Sequence, residues 1–138
     1  EIYNAFAKII SIPQANGALV QPMLKGIELY VGVKKEENFG HIIFFGLGGI
    51  FIEVIKDVVY ELAPFGKKTA KRLIKSIRSY PLIEGARGQE GINQDKLIDI
   101  IIRVSELTRH AQEITEMDIN PLIAIKDEIY AVDARIKL

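Results

Sequence analysis

The sequence predicts an α+β domain: a mostly antiparallel sheet with two helices packed on one face. Three observations predict it. Strand patterns, alternating at 26–33 and 56–64 and continuously apolar at 41–54, run up to Pro64, a 3.6-residue period takes over between Lys67 and His110, and strand patterns return to the C-terminus. Strands, then a helical block, then a closing hairpin is the order of an α+β domain rather than of repeated strand–helix units. With 138 residues, the chain is one domain or part of one.

The first strands are GALVQPML (17–24) and GIELYVGV (26–33). In the second, Ile27, Leu29, Val31 and Val33 alternate with Glu28, Tyr30 and Gly32, the pattern of a half-buried strand. KKEENFG (34–40) is a polar turn. HIIFFGLGGIFIEV (41–54) reads as a buried strand running into a Gly-rich turn and out again, and KDVVYELAP (56–64) as a strand stopped by Pro64. In KKTAKRLIKSIRSY (67–80), Ala70, Leu73, Ile74 and Ile77 form a helical stripe that Pro81 ends. A loop, LIEGARGQEG (82–91), leads to Asn93, a plausible N-cap, and a second helix to about His110. ITEMDINPLIAI and EIYAVDARI close the chain as strands joined at Lys126-Asp127.

Composition narrows the function. Eighteen basic and eighteen acidic residues cancel, which argues against a nucleic-acid partner or an anionic membrane surface. The absence of cysteine removes disulfides, thiolate metal sites and cysteine nucleophiles, and fits a cytoplasmic setting. Two histidines without HExxH or HxH spacing leave little for a histidine-based zinc site. The longest apolar run, Ile42 to Ile52, is broken by glycines and falls short of the roughly 20 residues of a membrane span. No basic n-region or A-x-A site marks a signal peptide. A chain that starts at Glu1 rather than Met reads as a fragment or a processed piece.

The terminal hairpin carries the most chemistry. A two-residue turn at Lys126-Asp127 makes paired residue numbers sum to 253. Asn120 then faces Asp133 and Asp118 faces Arg135, with Cβ atoms about 5 Å apart. The other face collects Ile119, Ile123, Ile125, Tyr130, Val132, Ala134 and Ile136, an expected core face. A carboxylate and an amide oxygen side by side suit a hard cation such as Mg²⁺. The spacing also allows a solvated patch in which Asp118 simply pairs with Arg135.

FGLGG (45–49) is a second candidate, since consecutive backbone N–H groups in a glycine turn converge on phosphate oxygens. No Lys-Ser/Thr follows, so it is not a Walker A loop, and a tight turn between strands also explains it. Glu53 is an edge charge or a site carboxylate. Glu28, on the non-core face with Tyr30, reads as an exposed strand glutamate, and Arg87, in EGARG, reads equally as a phosphate binder or a solvated loop residue. His41 and His110 have no partner in sequence and read as strand-end and helix-end histidines. Lys67, Lys68, Lys71, Arg72, Lys75 and Arg78 form the solvated face of a helix.

Together, VQPMLKGIELYVGV, NFGHIIFFGLGGIFIEVIKDV, YPLIEGARG, EMDINPLIAI and AVDARIKL resemble the ATP-grasp β subunit of ADP-forming acyl-CoA synthetases, relatives of succinyl-CoA synthetase. The resemblance runs over nearly the whole chain in the family's order and implies the C-terminal subdomain of an ATP-grasp domain. It implies conversion of acyl-CoA, ADP and phosphate to a carboxylate, CoA and ATP. The route is an acyl phosphate and a phosphohistidine carried on a CoA-binding α subunit or domain. By the same resemblance Asn120 and Asp133 hold Mg²⁺ against the phosphates of ATP or ADP. Asp118 resembles the carboxylate that meets the phosphohistidine, and Gly46, Gly48, Gly49 and Glu53 match the loop near the phosphates. The preceding subdomain, with its lysine and adenine-hinge strand, is not expected in this chain, so the isolated chain is expected to be catalytically dead. The other reading is a non-catalytic ATP-grasp-like regulatory or interaction domain, as in synthetase-like proteins fused to acetyltransferases.

Overall fold

The computed structural model describes residues 1–49, 56–86, 88 and 90–138. Among them the elements run α1 (Ile2–Ile10), β1 (Ile27–Glu36), β2 (Gly40–Leu47), β3 (Val58–Leu62), α2 (Lys67–Ser76), α3 (Tyr80–Glu84), α4 (Gln94–His110), β4 (Glu116–Ile125), β5 (Glu128–Ala131) and β6 (Ala134–Lys137). The strands form one sheet in the order β3-β2-β1-β4-β5, with β6 pairing farther along β4. Every pairing is antiparallel. None of the described helices is long and apolar enough to cross a membrane.

The core lies on one side of the sheet. Leu29, Val31 and Val33 from β1 and Ile43, Phe45 and Leu47 from β2 are all buried, as alternation demands. Ala70, Leu73 and Ile74 of α2 and Leu97, Ile98, Ile101 and Val104 of α4 belong to the same cluster. Burying each large side chain is worth about 1.5–3 kcal/mol, so this layer dominates the stability. The Asn93 side chain accepts the Lys96 N–H at 3.0 Å and starts α4 where the sequence predicts.

Four readings need correction. Residues 17–24 form no strand, and Leu19, Val20 and Met23 are each more than four-fifths exposed. A strand needs a hydrogen-bonding neighbour, and no described strand pairs with this segment. Helix α1, which contributes no buried residue, precedes it. Pro81 does not end a helix but sits in the first turn of α3, where its missing N–H has no helical partner to lose. The 82–91 loop accordingly begins later than expected.

The fourth correction concerns the hairpin faces. Along β1, Leu29 pairs with Leu122 but Val31 with Ile119, so β4 spends three residues where β1 spends two. This bulge at Asn120-Pro121 switches the core side from Met117 and Ile119 to Leu122 and Ala124. Across the hairpin the register holds: Ile125 pairs with Glu128, Leu122 with Ala131, Asp118 with Arg135 and Glu116 with Lys137. The break in alternation is therefore matched at Val132-Asp133, which separates β5 from β6. Ile123 is buried, but Tyr130, Val132, Ala134 and Ile136 are exposed, so the seven expected residues do not make a core face.

Candidate functional site

The matched breaks place four polar residues in one corner of the sheet. The Asn120 N–H donates to the Asp133 carbonyl at 3.1 Å, and the Val132 N–H to the Pro121 carbonyl at 3.1 Å. The two strands thus stay joined through the irregularity. Asp118 and Arg135 are paired two residues farther on. Asp118, Asn120, Asp133 and Arg135, with Tyr30 of β1, line an open pocket of about 210 Å³.

The expected alternative for Asp118 is not what forms. No Asp118–Arg135 ion pair occurs among the described residues. Instead Asp118 Oδ1 accepts the Tyr30 hydroxyl at 2.9 Å. Burial raises the Tyr30 phenol well above its ordinary pKa, and the Asp118 hydrogen bond and charge push it the same way. Tyr30 therefore remains a protonated donor across the neutral range. Alternation along β1 sets Tyr30 on the non-core face with Glu28, and only the strand order brings it to Asp118.

The glycine turn leans against this corner. The Gly49 N–H donates to Asn120 Oδ1 at 3.2 Å, and the Gly48 N–H to the Glu28 carbonyl at 2.8 Å. Gly49 has φ +59°, and a Cβ there meets a carboxylate oxygen of Glu28, so two constraints call for glycine. Gly46 pairs with Tyr30 and Val58. Glu53 and Arg87 lie outside the described residues.

Among the described residues no three His, Cys, Asp or Glu side chains converge as a metal cage. Asn120 and Asp133 offer one amide and one carboxylate oxygen donor in the pocket, beside the Asp118 carboxylate that is engaged with Tyr30. That fits Mg²⁺, which binds through one or two protein oxygens and keeps waters and phosphate oxygens for the rest. Asn120 Oδ1 is steadied by Gly49, while Asp133 makes no side-chain hydrogen bond or ion pair among the described residues.

The other polar candidates are structural. His41 is buried and donates from Nε2 to the Ile114 carbonyl at 2.7 Å. His110 is exposed at the end of α4. On the basic helix face, Lys67 pairs with Asp95 at 3.2 Å and Arg72 with Glu61, exposed contacts of small worth. Asp57, unremarked in the sequence, is buried and accepts the N–H groups of Arg78 (2.9 Å) and Ser79 (2.7 Å), joining β3 to the start of α3. Burial alone would raise its carboxyl, but the Ser79 and Arg78 hydrogen bonds and the Arg78 charge hold it below the ordinary value.

The chain as a whole is similar to known proteins. A family model described as "ATP-grasp domain" matches residues 1–138. The β subunit of ADP-forming acetate–CoA ligase I from Pyrococcus furiosus is 45% identical over 123 residues, 88% of this chain and 53% of that one. The β subunit of ligase II from the same organism is 42% identical over 142 residues, 100% of this chain and 60% of that one. The chain thus spans about half the length of these relatives. Among solved structures, dinucleotide-forming acetyl-coenzyme A synthetase 1 of Ca. Korarchaeum cryptofilum superposes with a TM-score of 0.81 at 39% identity, over 84% of this chain and 55% of that one. That structure is a complex with coenzyme A and Mg-AMPPCP, its phosphohistidine segment pointing towards the nucleotide-binding site.

Proposed function

The chain belongs to the ATP-grasp domain family, and on that premise we propose that it is the nucleotide-phosphate- and Mg²⁺-binding part of an ADP-forming acyl-CoA synthetase. The overall reaction is acyl-CoA, ADP and phosphate giving carboxylate, CoA and ATP. The partner is a CoA-binding α subunit or domain that carries a phosphohistidine. The observation that carries the reading is the apposition of Asn120 and Asp133 beside Asp118 on one exposed corner.

In this reading Asn120 Oδ1 and the Asp133 carboxylate would hold Mg²⁺, which would supply neutralisation of phosphate charge. Asp118 receives the imidazole of the phosphohistidine and orients it. The P–N bond then breaks as the bond to the terminal oxygen of ADP forms, and the histidine is released. The family resemblance assigns Gly46, Gly48, Gly49 and Glu53 to the loop nearest the phosphates, where the missing side chains of the three glycines would permit close approach. Gly49 also steadies Asn120. The protein's work is positioning and charge, with no covalent step on this chain.

Mn²⁺ binding followed by electron paramagnetic resonance, with and without ADP, tests the site in the intact protein and in Asp133→Ala. ADP-enhanced binding that the substitution abolishes supports the assignment. An intact protein that makes ATP but binds Mn²⁺ equally with and without Asp133 overturns it.

A further inference from the structure

Tyr30 reaches Asp118 along an unusual path. The residue paired with Asp118 on β1 is Gly32, not Tyr30. The phenol ring of Tyr30 instead lies along its own strand, and the place a Cβ on Gly32 would take is filled by the Tyr30 hydroxyl and ring. The contact to Asp118 Oδ1 at 2.9 Å therefore depends on the absence of a side chain at Gly32. Among the described residues this is the one side-chain hydrogen bond Asp118 makes, and Oδ2 has none. A short, exposed carboxylate such as that of Asp118 otherwise samples several rotamers. A hydrogen bond to an ionised acceptor is stronger than one between neutral groups and selects among those rotamers.

Resting on the role given above to Asp118, we propose that Tyr30 is a positioning residue. It pins Oδ1 of Asp118 over Gly32 and so leaves Oδ2 oriented for the imidazole N–H of the phosphohistidine. Tyr30 acts through Asp118 alone. Gly32 is part of the same device, because it supplies the space in which the phenol lies.

The test uses the intact synthetase with its CoA-binding partner, assayed for ATP formation. Tyr30→Phe keeps the ring and removes the hydroxyl; its kcat falls roughly tenfold with the KM for ADP unchanged, the loss expected for one hydrogen bond to a charged group. Gly32→Ala displaces the phenol without changing its chemistry and gives a similar loss. The decisive measurement is the double-mutant cycle with Asp118→Ala, which removes the acceptor, and in which Tyr30→Phe has no further effect. If Tyr30→Phe lowers kcat by the same factor whether or not Asp118 is present, Tyr30 acts by another route and the inference is overturned. Full activity in both Tyr30→Phe and Gly32→Ala, with Asp118→Ala impaired, also overturns it. Full activity in Asp118→Ala itself removes the role of Asp118 on which the inference rests, and is told apart by that single variant.

Discussion

Asn120 stands directly across the terminal hairpin from Asp133, with the Asn120 N–H donating to the Asp133 carbonyl at 3.1 Å. This is the level at which both strands break their alternation. The bulge does more than interrupt a ladder. It lets Met117 and Ile119 on one side of it, and Leu122 and Ala124 on the other, all serve the core. The amide and the carboxylate are then free to serve the pocket. Bulges next to binding sites commonly re-aim side chains in this way.

Because the two residues are opposed, their chemistry should be exchangeable. In the swap Asn120→Asp with Asp133→Asn, one carboxylate and one amide remain at the same level, and an aspartate at 120 still accepts from Gly49. Mn²⁺ affinity of the intact protein should stay within about tenfold of the unaltered one, whereas Asp133→Ala should lose more than that. Titration by electron paramagnetic resonance compares the three proteins.

Gly49→Ala should destabilise the fold by about 1–3 kcal/mol, because an alanine at φ +59° is strained and its Cβ meets the Glu28 carboxylate. Adding Glu28→Ala should recover the steric part and leave the backbone part. Denaturant unfolding of the single and double variants separates the two.

Asp57→Ala should cost about 1–3 kcal/mol at neutral pH, since the Arg78 and Ser79 N–H groups lose their shared acceptor. The folded carboxyl titrates below its ordinary value, so the unfolded chain takes up the proton first. The stabilisation is complete above the unfolded value of about 4 and fades as pH falls through the folded one. Unfolding curves of the two proteins should therefore converge only in acid.

Asn93→Ala should remove the cap on the Lys96 N–H and lower stability by about 1 kcal/mol, with Asn93→Ser recovering most of it. Thermal unfolding followed by circular dichroism measures both.

How much was legible in the sequence follows how far each signal reaches along the chain. The N-cap at Asn93, the helical stripe of Ala70, Leu73 and Ile74, and the alternation of β1 are encoded within a few residues of themselves, and each was read correctly. The register of the hairpin was legible for the same reason: a two-residue turn at Lys126-Asp127 fixes every later pairing, and with it the apposition of Asn120 and Asp133. Pro121 inside a strand was the available sign of a bulge, but a bulge counts residues against a neighbour, and that neighbour is β1, nearly ninety residues earlier in the chain.

The sequence by itself determined the α+β order of elements, the hairpin register and the residue types gathered at its polar corner. Only the tertiary structure decided which sides of β4 face the core, that residues 17–24 find no strand partner among the described residues, that Asp57 holds the start of α3, and that Tyr30 turns over Gly32 to hold Asp118. The physical reason is common to all four. Propensity and turn geometry act between near neighbours in the chain, whereas a bulge, an unpaired segment or a distant hydrogen bond exists only once another strand has docked beside it.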